Sequence, residues 1–158
     1  MTARIIIAAA LLFVLAAPVH GSNVVVGVVN LQANSISELS VSGSPAPLTV
    51  NSAVAGEEPT AVSDSTTRYS FTTNGTNLKI TVRIDSNTET GTALMIAFKK
   101  PDSTWTSDLL LTSSTVDAVT GLTKIKGKNL DLRYTFSATV DAGEIDTTTR
   151  TVFFTLTN

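Results

Sequence analysis

Apolar and polar residues alternate along most of the chain after residue 21, and this period of two predicts β-strands. The clearest run is residues 130–140, in which Leu, Tyr, Phe, Ala and Val occupy every second position and Asp, Arg, Thr and Ser the positions between. Clusters of Gly, Pro, Asn, Asp and Ser separate the strand-like runs. No stretch in this part of the sequence has a sustained helical period, so the pattern predicts an all-β protein.

About seven to nine strands, with turn signals every 8–12 residues or so, are typical of an antiparallel immunoglobulin-like β-sandwich. A small antiparallel barrel is the alternative architecture. The predicted strands are residues 24–33, 36–42, 48–50, 68–73, 76–85, 93–98, 109–112, 130–140 and 151–157. Residues 53–64 are predicted as a loop, 116–125 as an ambiguous, turn-rich connection, and 126–129 as a turn. The length of 130–140 suggests a central strand, and nothing divides residues 22–158 into two domains.

The segment 68–85 has the pattern of a β-hairpin centred on Asn74-Gly75. Asn-Gly is the strongest short-range hairpin signal, because a type I′ turn needs positive φ at both central residues. A two-residue turn would pair Phe71 with Leu78 and Tyr69 with Ile80. Apolar residues would then face apolar residues at every step, so the pattern and the turn agree.

Residues 1–21 have the layout of a secretory signal peptide. Arg4 precedes the apolar run 5–17, Pro18 ends that run, and the small residue Gly21 stands before Ser22. A membrane span needs roughly 20 apolar residues, so the run is too short for one. We therefore expect cleavage and export to the extracellular space or cell surface, with the periplasm as another destination. An uncleaved N-terminal anchor is the alternative.

The composition excludes several kinds of chemistry. The chain has no cysteine, and its one histidine, His20, lies in the predicted signal peptide. Thiol nucleophiles, His- or Cys-based zinc and haem sites, and a Ser-His-Asp triad are therefore excluded. A formal net charge of −2 provides no basic field for nucleic acid. We expect no cofactor and no enzymatic activity, and the alternative enzyme is a carboxylate-based hydrolase.

Two kinds of candidate binding residue remain. Asp85, Asn87 and Glu89 place oxygen atoms at alternate positions, as at the start of a calcium loop, although Thr90 stands where that loop has glycine. Hydrophilic turn residues are the alternative interpretation, and the expectation for metals is none. The second kind is aromatic. Trp105 shares parity with Leu109 and Leu111, which predicts a core position, and a sugar-stacking surface is the alternative. Phe153 falls on the opposite strand face from its apolar neighbours and is a candidate contact residue.

Residues 22–33, called here the N-terminal segment, are apolar on both faces of a predicted strand. Val24, Val26 and Val28 alternate on one face, and Val25, Val29 and Leu31 on the other. Such a strand aggregates unless it is paired. It is expected to be either a central strand of its own sandwich or a strand donated to a neighbouring subunit.

In overall layout the chain resembles small exported β-sandwich proteins of bacteria, namely spore-coat-U-type proteins and archaic chaperone–usher pilin subunits. The similarity is in the N-terminal segment, the alternation at 130–140 and the final strand within 150–158. The chain departs from these families in having no cysteine for their usual disulfide. The resemblance implies a non-enzymatic structural subunit of a surface fibre, pilus or coat that forms homo-oligomers by strand pairing. The alternative is a soluble extracellular module that binds carbohydrate or a cell-surface or matrix protein.

Overall fold

The computed structural model describes residues 27–158, of which Ala33–Asn158 form one compact unit. This unit is an all-β sandwich of two antiparallel sheets, as the alternation predicts. Its strands are β1 (Ser37–Ser42), β2 (Val62–Asp64), β3 (Arg68–Thr73), β4 (Leu78–Ile84), β5 (Thr92–Phe98), β6 (Leu109–Leu110), β7 (Val116–Leu122), β8 (Ile125–Ala138) and β9 (Val152–Thr157).

The larger sheet has the strand order β1-β3-β8-β5-β6, and the smaller sheet has the order β7-β4-β9. Strand β8 is central, as its length predicts. Its first half pairs with β3, where Arg68 lies opposite Asp131, and its second half pairs with β5, where Phe98 lies opposite Leu132. The short strand β2 also pairs with the second half of β8. The two sheets are separate, so the sandwich is formed rather than the alternative of a single closed sheet.

The best-covered part of the core lies between β3, β5 and β8 of the larger sheet and β4 and β7 of the smaller one. Tyr69 and Phe98 are buried and pack edge to face, with ring centroids 5.2 Å apart. The hydroxyl of Tyr69 donates a hydrogen bond to the carbonyl oxygen of Lys99 at 2.8 Å, which satisfies its polar atom inside the core. Each fully buried side chain of this size contributes about 1.5–3 kcal/mol to folding.

The predicted hairpin is wrong in its pairing, although both of its strands exist. Strand β3 belongs to the larger sheet and β4 to the smaller one, so residues 74–77 cross from one sheet to the other. Positive φ occurs at Asn77, at 57°, and not at Asn74 or Gly75, so no type I′ turn forms. Phe71 and Leu78 are both buried. Alternating apolar residues fit two strands that face each other across a core as well as two neighbours in one sheet.

Five other sequence predictions about strands are also corrected. The part of the predicted first strand that the structure describes, residues 27–33, has no strand, and neither do residues 48–50. Conversely, β7 forms where a turn-rich connection was predicted, and β2 forms within the predicted loop 53–64. The 130–140 strand ends at Ala138, because Val140 begins a 3₁₀ turn, Val140–Ala142, and is exposed.

The turn predicted at residues 126–129 is instead part of β8. Two features let these turn-forming residues sit in a strand. Asn129 adopts a φ of 51°, and the pairing of β3 with β8 shifts register between Tyr69 and Phe71, as in a β-bulge. Gly127 is required by packing, because a β-carbon at this position would lie 2.6 Å from Cε1 of Phe71. Here glycine marks a close approach inside a sheet rather than a turn.

The predicted signal peptide, residues 1–21, lies outside the described residues. Within the part of the chain that the structure describes, no helix is long and apolar enough to span a membrane.

Candidate functional site

Strands β1 and β9 are the edges of their sheets on the same side of the sandwich. Among the described residues, β1 pairs only with β3, and β9 only with β4. The two edges together line a cavity of about 490 Å³, with Leu39 and Val41 on one side and Phe154 and Leu156 on the other. We call this opening between β1 and β9 the seam. The two sheets are therefore not closed against each other along this side.

A larger groove of about 1210 Å³ adjoins the seam, and the two cavities share Val41 and Phe154. Its apolar lining includes Leu94 of β5, Phe136 of β8 and Val152 of β9, all of which are half-buried. Further along β5 and β8, Ile96 and Leu132 are fully buried. Along the same two strands, the core is therefore fully covered at Ile96 and Leu132 and only partly covered where Leu94 and Phe136 line the groove.

The sequence explains why the groove is left open. The connection from β1 to β2 contains Gly43, Pro45 and Pro47. A proline has no backbone N–H to donate to a sheet, so this segment cannot pair as a strand over those positions. It lines the groove as irregular chain, and Leu48, which follows the prolines, packs against the core without belonging to a strand.

Strand β9 combines the two requirements for adding another strand. As an edge strand it presents backbone N–H and C=O groups that no described strand pairs. Its side chains Val152, Phe154 and Leu156 face the sandwich interior and are only half-buried. Main-chain hydrogen bonds supply affinity in β-strand addition, and alternate side chains in apolar pockets supply specificity.

The N-terminal segment is described from Gly27 onward, and Val24, Val25 and Val26 lie outside the described residues. Residues 27–32 have no secondary structure. Val28, Val29 and Leu31 expose 88%, 75% and 89% of their surface. Neighbouring exposed apolar side chains are typical of surfaces that bind another protein, a membrane or a ligand, or that aggregate. The sequence-based prediction that these residues contact a partner stays a prediction.

The two candidate contact aromatics lie on the outer faces of different sheets. Trp105 is 36% exposed rather than in the core, because the chain after β5 turns back and Trp105 bridges to Lys99. The guanidinium of Arg133 lies 5.0 Å from its ring centroid. Phe153 is 39% exposed, and the guanidinium of Arg83 lies 4.0 Å from its ring centroid. An arginine therefore covers one face of each ring, and the two rings form no joint surface.

The calcium candidates are engaged with protein atoms. Oδ1 of Asn87 accepts a hydrogen bond from the backbone N–H of Ser113 at 2.8 Å, and Oδ1 of Asp85 accepts one from Ser86. Glu89 forms an ion pair with Arg150 at 2.7 Å. Among the described residues, no group of three acidic or other metal-ligating side chains is placed to hold a metal ion. The geometry thus gives the calcium prediction no support.

Three carboxyl groups have a lowered pKa, whereas a general acid needs a raised one. The pKa of Glu89 is lowered, first by a hydrogen bond from its own backbone N–H and then by Arg150. Hydrogen bonds from Thr66 and Thr104 lower the pKa of Asp64 and Asp102 in the same way. Tyr134 in the groove has its pKa raised to about 12 by burial, so it is neutral at physiological pH.

The seam and its adjoining groove are therefore the site that the described residues support best. This site could not be found from the sequence, because the sequence predicts the strands β1 and β9 that border it but not which strands they pair with. No family model, curated protein or solved structure matches the chain. Function has to be inferred from the fold, the open edge and the apolar groove.

Proposed function

We propose that this protein is an exported structural subunit that polymerises by β-strand addition. In this proposal the N-terminal segment of one copy fills the seam of the next copy and pairs with the free edge of β9. The observation that carries the proposal is the combination of an edge strand, one side of which no described strand pairs, with a half-buried apolar groove beside it. Each alone is common in sandwiches, and we interpret the two together as a place for one more strand.

The N-terminal segment has the chemistry that the seam requires. It has no charged residue, so its insertion would bury no unpaired charge. At about 3.3 Å per residue, the six residues of β9 present an edge of about 20 Å. The twelve positions of the segment are enough to cover that edge in an extended conformation. Its alternating valines would place apolar side chains toward the groove at every second position.

Substitutions in the segment test the proposal without changing the sandwich. Val26→Asp together with Val28→Asp would bring two charges toward the apolar groove, which costs several kcal/mol in an unpaired state. We expect the variant to stay monomeric in size-exclusion chromatography and negative-stain microscopy, with the melting temperature of the unassembled parent monomer. Asn23→Asp adds a charge at a polar position on the opposite face of the same segment and is the matched control, which should still assemble.

A second variant tests the seam, which is the accepting side of the proposed interaction. Deletion of residues 22–33 should give a soluble monomer whose seam is empty. A synthetic peptide of residues 22–33 should then bind that monomer and raise its melting temperature, since a ligand specific for the folded state stabilises it. Multimers of unchanged size after the deletion would exclude strand donation by this segment.

A further inference from the structure

Among the described residues, the exposed charged residues that take part in no ion pair are divided between the two ends of the sandwich. Six ion pairs account for most of the basic residues along its sides. At one end the exposed residues Lys124, Lys126 and Lys128 are outside these pairs. At the other end the exposed acidic residues outside these pairs are Glu57, Glu58, Asp85, Asp141, Glu144 and Asp146.

The position of the lysines follows from the strand register. Strand β8 begins at Ile125, which pairs with Thr73, the last residue of β3. The backbone N–H of Lys124 donates to the carbonyl oxygen of Gly75 in the loop that crosses between the sheets, at 2.9 Å. We call this the basic end. The acidic residue Glu38 is also near this end, and Thr72 separates it from Lys126 across the sheet.

The acidic residues lie at the opposite end, where β8 and β4 finish. Oε2 of Glu58 accepts a hydrogen bond from the backbone N–H of Val140 at 2.7 Å, just after β8. Glu144 and Asp146 line the groove at this end, which we call the acidic end. Two basic residues lie here: Arg150 is already paired with Glu89, and the guanidinium of Arg83 lies over the ring of Phe153.

The chain that follows the N-terminal segment enters β1 at the basic end. Ser37, the first residue of β1, pairs with Thr73, and the backbone N–H of Ile36 donates to Oδ1 of Asn74. The groove, by contrast, opens toward the acidic end. A subunit that donates its segment from the basic end thus meets the groove of the next subunit from the acidic side.

We infer that the basic end of one copy docks on the acidic end of the next, so that subunits stack head to tail with a fixed polarity. This inference rests on the proposed function for the role of the seam, but the charges would guide docking in any head-to-tail contact. Such a contact joins two different surfaces and, if it does not close a ring, generates a filament. Opposite charge speeds the encounter, and salt screens it beyond about 8 Å at 0.15 M.

The test is a charge swap in the full exported chain. We expect the variant Lys124→Glu, Lys126→Glu, Lys128→Glu to assemble at least about tenfold more slowly than the parent at low salt, because attraction becomes repulsion. The variant Asp141→Lys, Glu144→Lys, Asp146→Lys should show the same defect alone. An equimolar mixture of the two should assemble faster than either variant by itself. In the mixture, the introduced glutamates of the first variant can meet the introduced lysines of the second.

The outcomes separate this inference from the proposed function. Equal assembly rates for the parent and both variants, with no dependence on salt, would overturn head-to-tail charge docking even if deletion of residues 22–33 abolishes assembly. If assembly survives that deletion but still responds to the charge swap, strand donation is wrong and the docking surface stands. A mixture that is no faster than its components would also contradict the complementarity of the two ends.

Discussion

Asn74 holds the chain that leads into β1, because its Oδ1 accepts a hydrogen bond from the backbone N–H of Ile36 at 2.8 Å. Its Nδ2 donates to the carbonyl oxygen of Asn34 at 2.6 Å, and its own N–H donates to the carbonyl oxygen of Ile36 at 3.2 Å. The Asn74 side chain thus joins the loop between the two sheets to Asn34 and Ile36, which follow the N-terminal segment. Asn74, which the sequence assigns to a hairpin turn, instead holds the chain before β1 by side-chain hydrogen bonds.

Substitution of Asn74 distinguishes these two roles. We expect Asn74→Ala to lower the free energy of unfolding by about 1–2 kcal/mol, since two side-chain hydrogen bonds are lost. Asn74→Gly should lower it by at least as much, whereas the positive-φ position of a type I′ turn would accept glycine. Urea denaturation measures both. A neutral or stabilising Asn74→Gly variant would favour the hairpin.

The sheet assignment of β3 can be checked by cross-linking, because the chain has no cysteine of its own. Thr72 lies opposite Lys126 on β8. Thr72→Cys with Lys126→Cys should therefore form a disulfide under mild oxidation, as facing residues in neighbouring strands can. Thr72→Cys with Asn77→Cys is the matched pair for the hairpin and should remain reduced. The reverse result would place β3 beside β4.

Core and groove positions on the same strand should respond differently to truncation. Ile96 is fully buried and Leu94 is half-buried at the groove. Ile96→Ala should cost about 2–5 kcal/mol of stability, and Leu94→Ala less than half as much as Ile96→Ala, because the groove leaves much of its side chain in contact with solvent. Equal losses in chemical denaturation would mean that the groove is closed in solution.

Alkaline pH should destabilise the protein through its buried tyrosines. Burial raises the pKa of Tyr134 to about 12, above the ordinary value of about 10. The stabilising effect is complete below the ordinary value and is lost as the pH rises toward 12, because only the unfolded state can ionise freely. We expect the melting temperature to fall from about pH 10 upward. Tyr134→Phe should reduce that fall, and a curve unchanged by the substitution would contradict this assignment.

The sequence predicted the fold class and most strand positions, because alternation and punctuation are local properties. It also predicted the central place of β8 and the inward side chains Val152, Phe154 and Leu156 of β9. It did not predict that β3 and β4 lie in opposite sheets, since Phe71 and Leu78 would be buried in either arrangement. The seam depends on which strands are edges, and edge positions are set by pairing between distant segments. The prediction for Trp105 was wrong for a related reason. Its parity with Leu109 and Leu111 has no meaning, because Trp105 lies before strand β6 and not in it.

The central claim, donation of the N-terminal segment to β9 of another copy, is tested most directly by intermolecular cysteine cross-linking. One subunit carries Thr155→Cys on β9, and a second carries a single cysteine at each position from 24 to 31 in turn. Side chains alternate between the faces of a strand, so we predict disulfides between the mixed subunits at alternate positions only. No cross-linking, or equal cross-linking at every position, would contradict strand donation.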